Sequence, residues 1–247
     1  MADPGKARQS RARASRGRFY ANSALIMLAC VLLSFPLTYY GPLLTGSRGF
    51  PIFYHIHGAA FFAWIGLYAW QTHLVATGRT GRHRELGLAG IALSALMVPL
   101  AIIIAIAAIR RRMAQGDAHP FDVTFYNIVD ITTFSLMMIA SIAAVTRHSD
   151  WHRRFTFAAA LCLVGPAISR WVLRLPEVFP LTDMAPNILA DLLLIALALH
   201  DRREAGRIHP ATLWAFAALV PIHVASPWIA GSGWWRGVAP GILTLMG

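Results

Sequence analysis

The sequence predicts an all-α membrane protein, a polytopic bundle of seven transmembrane helices with its N-terminus inside and its C-terminus outside. Three observations lead to this fold class. Hydrophobic residues make up 57% of the chain and charged residues 13%, whereas soluble domains are about half apolar and about a quarter charged. Seven apolar runs are long enough to cross a bilayer, and arginines gather in alternate connections between them.

The apolar runs define the helices in order. A continuous apolar run of about 18 or more residues is typical of a transmembrane helix. The sixth run is short and can extend at either end. The predicted spans cover residues 21–43, 52–76, 84–109, 123–146, 155–175, 186–200 and 211–231. They form a single transmembrane domain, 21–247, behind a basic cytoplasmic tail, 1–20.

Basic residues orient these spans. The tail and the connections after the second, fourth and sixth spans hold 15 of the 22 lysines and arginines, and the opposite connections hold 7. Cytoplasmic loops of membrane proteins are enriched in basic residues, so the tail is predicted to be cytoplasmic. The net charge of +11 does not indicate nucleic-acid binding, because the short tail has no aromatic residue before Phe19. We expect it to contact anionic lipid head groups of the bilayer.

Polar residues inside the spans form a second pattern. Ionisable groups at membrane depth cost a few kcal/mol each, so they usually face the bundle interior and find partners. We expect Arg170 to pair with Asp130 or Asp191. Such a network has three interpretations: structural ion pairs, a ligand site or a proton pathway. Its members, all in the predicted outer half, are Asn127, Asp130, Arg170 and Asp191, with His57 and His223 at the same level.

Histidines suggest a cofactor. An outer site would use His57 and His223 as ligands of a transition metal or a haem b, with Asn127 and Asp130 orienting the imidazoles. An inner haem would lie between His73 and His152. Two stacked haems are not predicted, because His57 and His73, 16 residues apart, fall on opposite faces of a helix.

Two arginine-flanked histidines carry a family resemblance. The stretches "GRTGRHRELG" and "WHRRFTFAAALCLVGPAISR" each run from arginine through His-Arg into an apolar helix. They resemble the paired His-Arg helix starts of uncharacterised bacterial multipass membrane families, distantly like a cytochrome c oxidase assembly factor. The resemblance covers residues 78–98 and 147–170. It implies a bacterial inner-membrane protein linked to haem-protein biogenesis, with respiratory-chain proteins as partners.

These patterns leave three functional hypotheses. The first is a membrane protein that binds haem or a transition metal for electron transfer or respiratory-enzyme maturation. The second is a proton-coupled transporter or channel that uses the intramembrane Asp, Arg and His residues. The third is a scaffold without a ligand. The sequence has no G-x-S-x-G motif, phosphate-binding loop or Walker lysine, so no catalytic residue is assigned.

Overall fold

A computed structural model describes the backbone of residues 4–246 and the side chains of residues 17–244. The predicted fold class is confirmed, because the described chain is helical without strands and has seven helical segments long and apolar enough to span a membrane. The helices are α1 (Pro4–Ser34), α2 (Tyr40–Leu44), α3 (Ile52–Ala76), α4 (Thr80–Glu85), α5 (Gly87–Ala114), α6 (Asp122–Ala144), α7 (Ser149–Cys162), α8 (Gly165–Val172), α9 (Leu181–Ala205), α10 (Pro210–Ala230), α11 (Gly233–Val238) and α12 (Pro240–Met246). A 3₁₀ turn, Phe35–Leu37, follows α1.

The first and sixth spans differ from their predicted bounds, and a proline-containing turn and a glycine cap determine where they end. The first covers Gly17–Leu37, and a turn containing Pro36 ends it earlier than predicted. The sixth covers Leu181–Ala205, so the short predicted run extends at both ends. It stops at Gly206, whose φ of 71° is a conformation that glycine adopts readily. The predicted tail belongs in part to α1, although its side chains up to Arg16 lie outside the described residues.

The fifth span lies at the centre of the bundle. It consists of α7 and α8, and 67% of an 18-residue apolar stretch within it is buried, compared with 22–44% of the corresponding stretches in the other spans. The remaining six spans surround it in the order one, two, three, four, seven, six, and the first and sixth close the ring. Ala158, Ala159 and Ala160 have no exposed surface. Small side chains such as these let neighbouring helices approach closely in a membrane bundle.

Proline and glycine divide the central span. The helical backbone is interrupted at Leu163 and Val164, and α8 starts with Gly165 and Pro166. Proline has no N–H for a helical hydrogen bond, but it is well suited to a first helical turn. This break turns the chain in the middle of the bundle, beside α9.

Two short helices at the C-terminal end were not predicted from the sequence. Ser232 caps α11 by accepting a hydrogen bond from the Trp235 N–H at 3.1 Å. The Trp235 indole donates to the Phe121 carbonyl at 3.0 Å, and Arg236 forms an ion pair with Asp122 at 2.6 Å. These contacts hold the segment after the seventh span against the start of α6.

Candidate functional site

The end of the bundle that carries Arg79–Arg84, Arg147–Arg154 and Arg202–Arg207 is called here the arginine-rich end. Two histidine side chains meet there. His83 lies on α4, and His152 lies in the first turns of α7. Their ring centroids are 6.4 Å apart, and their ring planes are inclined at 60°. Each belongs to one of the two His-Arg helix starts in the sequence.

Hydrogen bonds orient both imidazoles. Nδ1 of His83 lies 2.7 Å from Oε1 of Gln71, on α3. Nδ1 of His152 lies 2.8 Å from the Ser141 hydroxyl and 3.2 Å from the Ser141 carbonyl, on α6. The amide and carbonyl oxygens can only accept hydrogen bonds, so the proton is assigned to Nδ1 of each ring. This tautomer leaves the lone pair on Nε2, the nitrogen that would bind a metal.

The separation of the rings matches two imidazoles bound to one metal ion. With metal–nitrogen bonds of about 2.0–2.1 Å and about 1.1 Å from each nitrogen to its ring centroid, opposite imidazoles have centroids about 6.3 Å apart. The observed centroid separation of 6.4 Å is that of an ordinary ring contact in this protein and is compatible with such an arrangement. Hydrogen bonds from Nδ1 to oxygen acceptors are the usual way in which proteins orient metal-binding histidines.

A cavity surrounds the two rings. It has two adjoining lobes of about 240 and 990 Å³, and both include His83 and His152 in their walls. Cofactor sites usually have volumes of about 300–1,000 Å³. The smaller lobe has mostly apolar walls. Its lining includes Trp64, Leu67, Tyr68, Gly87, Gly90, Ile91 and Met138.

The larger lobe has a cationic wall at the arginine-rich end. Arg84 and Arg153 line it. Arg153 lies over the Tyr20 ring, 5.5 Å from its centroid, and contacts Asp150 at 2.9 Å. Its Nε is enclosed and has no hydrogen-bond partner among the described residues. Asp150 lines the same lobe. The cavity therefore combines an apolar lobe with a lobe in whose wall two arginines outnumber one carboxylate, which suits a flat apolar ligand with acidic substituents.

The inner ligand pair expected from the sequence needs a correction. His73 lies on the surface of α3 and stacks on Trp70 with a centroid separation of 5.6 Å. The ring that meets His152 is instead that of His83, because α4 turns back over the end of α3 and joins the third span. Of the predicted inner pair, only His152 lies beside another imidazole in the described part of the chain.

The outer pair is not brought together either. His57 lies on α3, which packs mainly against α1 and α5, whereas His223 lies on α10, which packs against α9, α6 and α7. The described neighbours of His57 are the Phe61 ring and the charge of Arg170. Nδ1 of His223 is occupied by Asp191. The two histidines stand on helices without a main packing interface, so a joint metal site would require the bundle to rearrange.

Arg170 does not form the expected ion pair with Asp130 or Asp191 in the described structure. Its guanidinium lies over the Phe35 ring, 4.1 Å from the centroid, donates to the Thr38 hydroxyl at 3.0 Å, and bonds to the Pro166 carbonyl. The break before α8 leaves that carbonyl within reach of the side chain four residues later. An aromatic face and two oxygens thus replace the predicted carboxylate.

The remaining polar residues form a second cluster around His223. Nδ1 of His223 lies 2.9 Å from Oδ2 of Asp191, and both side chains are buried. Asp130 lies near His223 and Asn187, and both are close enough to influence its charge. Asn127 is partly buried one turn away on α6 and has no side-chain hydrogen bond to the described residues. The sequence pattern therefore identified Asp130, Asp191 and His223, but not Asn187.

Sequence reasoning also missed a buried ion pair at the arginine-rich end. Arg154 Nε lies 3.1 Å from Oδ1 of Asp201, which in turn accepts hydrogen bonds from the Thr212 hydroxyl at 2.6 Å and the His209 N–H at 3.2 Å. Asp201 follows directly after the sixth predicted span, 186–200. The extension of α9 to Ala205 is what buries it.

Comparison with known proteins adds no relative. No family model, no curated protein and no solved structure matches this chain.

Proposed function

We propose that this multi-pass membrane protein binds one haem b between His83 and His152 and uses it to transfer electrons. The observation that carries the proposal is the imidazole pair, 6.4 Å between centroids, with both Nδ1 atoms held by oxygen atoms. A haem accepts axial ligands from two such histidines and supplies a one-electron iron couple.

The donor set favours a haem over a bare transition-metal ion. Among the described residues, no group of three or more His, Cys, Asp or Glu side chains is placed to hold a metal. Two protein ligands suffice for a haem, because the porphyrin supplies the other four nitrogens. The two cysteines, Cys30 and Cys162, do not form a C-x-x-C-H attachment motif, so the haem would be held without a covalent bond.

Different parts of the cavity wall would bind different parts of the haem. Trp64, Tyr68 and Met138 would cover the apolar macrocycle, and Arg84 and Arg153 would pair with the propionates. Gln71 and Ser141 would keep the imidazoles in the tautomer with Nε2 free. With both axial positions filled by protein, this arrangement favours electron transfer over oxygen binding.

The cellular setting belongs to the same proposal. We place the protein in the bacterial inner membrane with the arginine-rich end in the cytoplasm, on the basis of the basic-residue distribution and the His-Arg helix starts. Respiratory-chain proteins are the proposed electron partners or maturation clients. A ligand-free scaffold does not account for a cavity lined by two oriented histidines.

The test is the absorption spectrum of the detergent-purified protein after expression with added haem precursor. We expect a low-spin spectrum of two imidazole ligands in the wild type. His83→Ala and His152→Ala should each abolish that spectrum, and free imidazole should restore it in part by entering the space left by the side chain. Loss of the spectrum follows because one ligand cannot hold both axial positions.

Matched controls separate ligation from general damage. His73→Ala removes the exposed histidine expected from the sequence, and His148→Ala removes an exposed histidine one turn before His152. Both controls should keep the wild-type spectrum. A spectrum that survives in both cavity variants, or that is lost with His73→Ala, would contradict the proposal.

A further inference from the structure

Three enclosed polar atoms in the middle of the bundle have no partner among the described residues. They are Oδ1 of Asp130, Oδ1 of Asp191 and Nε2 of His223. His223 is 1% exposed and Asp191 is 4% exposed. Burying an unpaired polar atom costs about 1–3 kcal/mol, and more when the group is charged. A structural hydrogen-bond network would normally leave none of these atoms unpaired.

The groups that face His223 come from three helices. Asp191 and Asn187 belong to α9, and Asp130 belongs to α6. Cys162, at the end of α7, is close enough to feel the charges of Asp130 and Asp191. The nearest arginine predicted from the sequence, Arg170, is engaged elsewhere. The cluster therefore contains two carboxyl groups and one imidazole, without a permanent cation in contact among the described side chains.

Charge balance inside the bilayer then requires bound protons. With both carboxyl groups ionised and the imidazole neutral, the cluster would carry two negative charges. Asp191 contacts His223, which leaves the charge of Asp130. Uncompensated charge at membrane depth is strongly unfavourable, so Asp130 needs a proton. Asp130 is the better carrier because no cation contacts its side chain among the described residues, whereas Asp191 lies 2.9 Å from Nδ1 of His223.

Helix irregularities coincide with this cluster. The break between α7 and α8 lies beside Asn187, which approaches Gly165 so closely that an added Cβ would be 1.8 Å from its Oδ1. Pro186 precedes Asn187, and Pro227 has no N–H to offer the carbonyl of His223. In membrane bundles, interrupted helices at buried positions commonly mark binding sites for ions or substrates.

We propose that Asp130, Asp191 and His223 form a proton-binding site within the bundle, with the exchangeable proton on Asp130. The site does not depend on haem binding. The described His, Cys, Asp and Glu side chains form no group of three or more that could hold a metal ion, which favours a proton over a metal cation as the ligand. Release of the Asp130 proton adds one negative charge to the cluster, and its return removes that charge.

Infrared difference spectroscopy on the full chain in lipid vesicles tests this site. Carboxylic acids have a C=O stretching band that ionised carboxylates lack, and it shifts when hydrogen is replaced by deuterium. We expect such a band in the wild type, with an intensity that falls as the pH rises. Asp130→Asn should remove it, whereas Asp130→Glu should shift it without abolishing it.

The control variant is Asp122→Asn, on the same helix, which removes a partly exposed carboxylate paired with Arg236. It should leave the band unchanged. The proposal is overturned if the band is absent at every pH at which the protein is folded, or if it persists in Asp130→Asn. Removal of the band by sodium or zinc ions at constant pH would equally overturn it, since the ligand would then be a metal cation.

Discussion

At the scale of single residues, Gly165 is the described glycine at which an added Cβ would meet its nearest neighbour at the shortest distance. Its Cα lies against the Asn187 side chain, and an added methyl group would be 1.8 Å from Oδ1 and 3.0 Å from Cγ of that residue. Because α8, the second part of the central span, is packed against α9, the Asn187 side chain would have to move out of a packed interface. A substitution at this position therefore tests how tightly the polar cluster is built.

Gly165→Ala should lower the thermal stability of the purified protein and disturb the cluster around Asp130. Overpacking of a buried site costs about 1–3 kcal/mol. The measurement is thermal unfolding in detergent. Gly66→Ala is the matched control, because the same methyl group at that helical position meets nothing within 4 Å. The control should be neutral or slightly stabilising, since glycine in a helix is about 0.5–1 kcal/mol less favourable than alanine.

A second variant identifies the contact responsible. Asn187→Ala removes the amide that the new methyl group would strike, so the double variant should be less destabilised than the two single changes together predict. Equal destabilisation by Gly165→Ala and Gly66→Ala would show that the close approach has no energetic consequence.

The sequence identifies polar residues at depth but not their partners. Asp130, Asp191 and His223 are recognisable because each interrupts an apolar run, and a buried ionisable group must find a partner. Which partner it finds depends on helix rotation and packing, and these are not encoded in the spacing. Arg170 illustrates the difference, since a proline-induced break offers it a carbonyl and an aromatic ring in place of a carboxylate. Likewise, His83 becomes the neighbour of His152 only through the turn made by α4.

At the scale of helices, one ion pair joins three spans at the arginine-rich end. Arg154 of α7 and Asp201 of α9 have 6% and 1% of their side-chain surface exposed, and Asp201 also accepts from Thr212 at the start of α10. His209 caps α10 by accepting from the Ala211 N–H at 3.1 Å. Asp201 therefore fixes the central span to the sixth and seventh spans.

Asp201→Ala should destabilise the protein strongly, because it leaves the Arg154 guanidinium buried without its counter-charge. Breaking a buried pair from one side costs about 3–5 kcal/mol. Asp117→Ala is the control, since it breaks an ion pair with Arg112 at 2.9 Å in which about a third of each side chain is exposed. That loss should be much smaller, because exposed ion pairs contribute little to stability. Thermal unfolding of both variants in the same detergent measures the difference, and similar losses would contradict the assignment.

The existence of the helices was predictable, whereas their ends were not. Hydropathy specifies seven spans because a bilayer demands long apolar segments with internally satisfied backbones. It does not register polar helix extensions such as Asp201–Ala205, nor the α7–α8 break, which depends on Gly165 and Pro166 inside an apolar run. The short helices after Ala230 depend on a serine cap and a tryptophan hydrogen bond, and both are too local for a hydropathy signal.

At the scale of the whole molecule, the seven spans alternate in direction. The N-terminal and C-terminal parts of the described chain therefore lie at opposite ends of the bundle. Contacts support one common arginine-rich end. Phe19 stacks on His200 with centroids 4.1 Å apart, and Arg153 lies over Tyr20. The opposite end is joined by Arg174, which donates to the Leu37 carbonyl at 2.9 Å, and by the Arg236–Asp122 pair. The cavity lined by His83 and His152 lies at the first end, and the proposed proton site lies deeper in the bundle.

The distribution of basic residues then predicts the absolute orientation. With the arginine-rich end in the cytoplasm, 15 of the 22 basic residues are retained on that side. A reporter enzyme that folds only outside the cytoplasm should be active when fused to the C-terminus. The same reporter inserted in the connection 145–148 should be inactive, and a fluorescent protein that folds only in the cytoplasm should give the reverse pattern.

Together with the proposed haem site, this orientation predicts the side from which electrons enter. The larger lobe of the cavity, with Arg84 and Arg153 in its wall, would then face the cytoplasm. A membrane-impermeant reductant added to sealed right-side-out vesicles should reduce the haem slowly, and the same reductant should act rapidly on inside-out vesicles. The reporter tests the topology and the reductant tests the side of electron entry, so the two predictions can fail separately. One such outcome is rapid reduction from the outer face together with an active outside reporter at the C-terminus. It would leave the topology intact and move the electron entry point to the opposite end of the bundle.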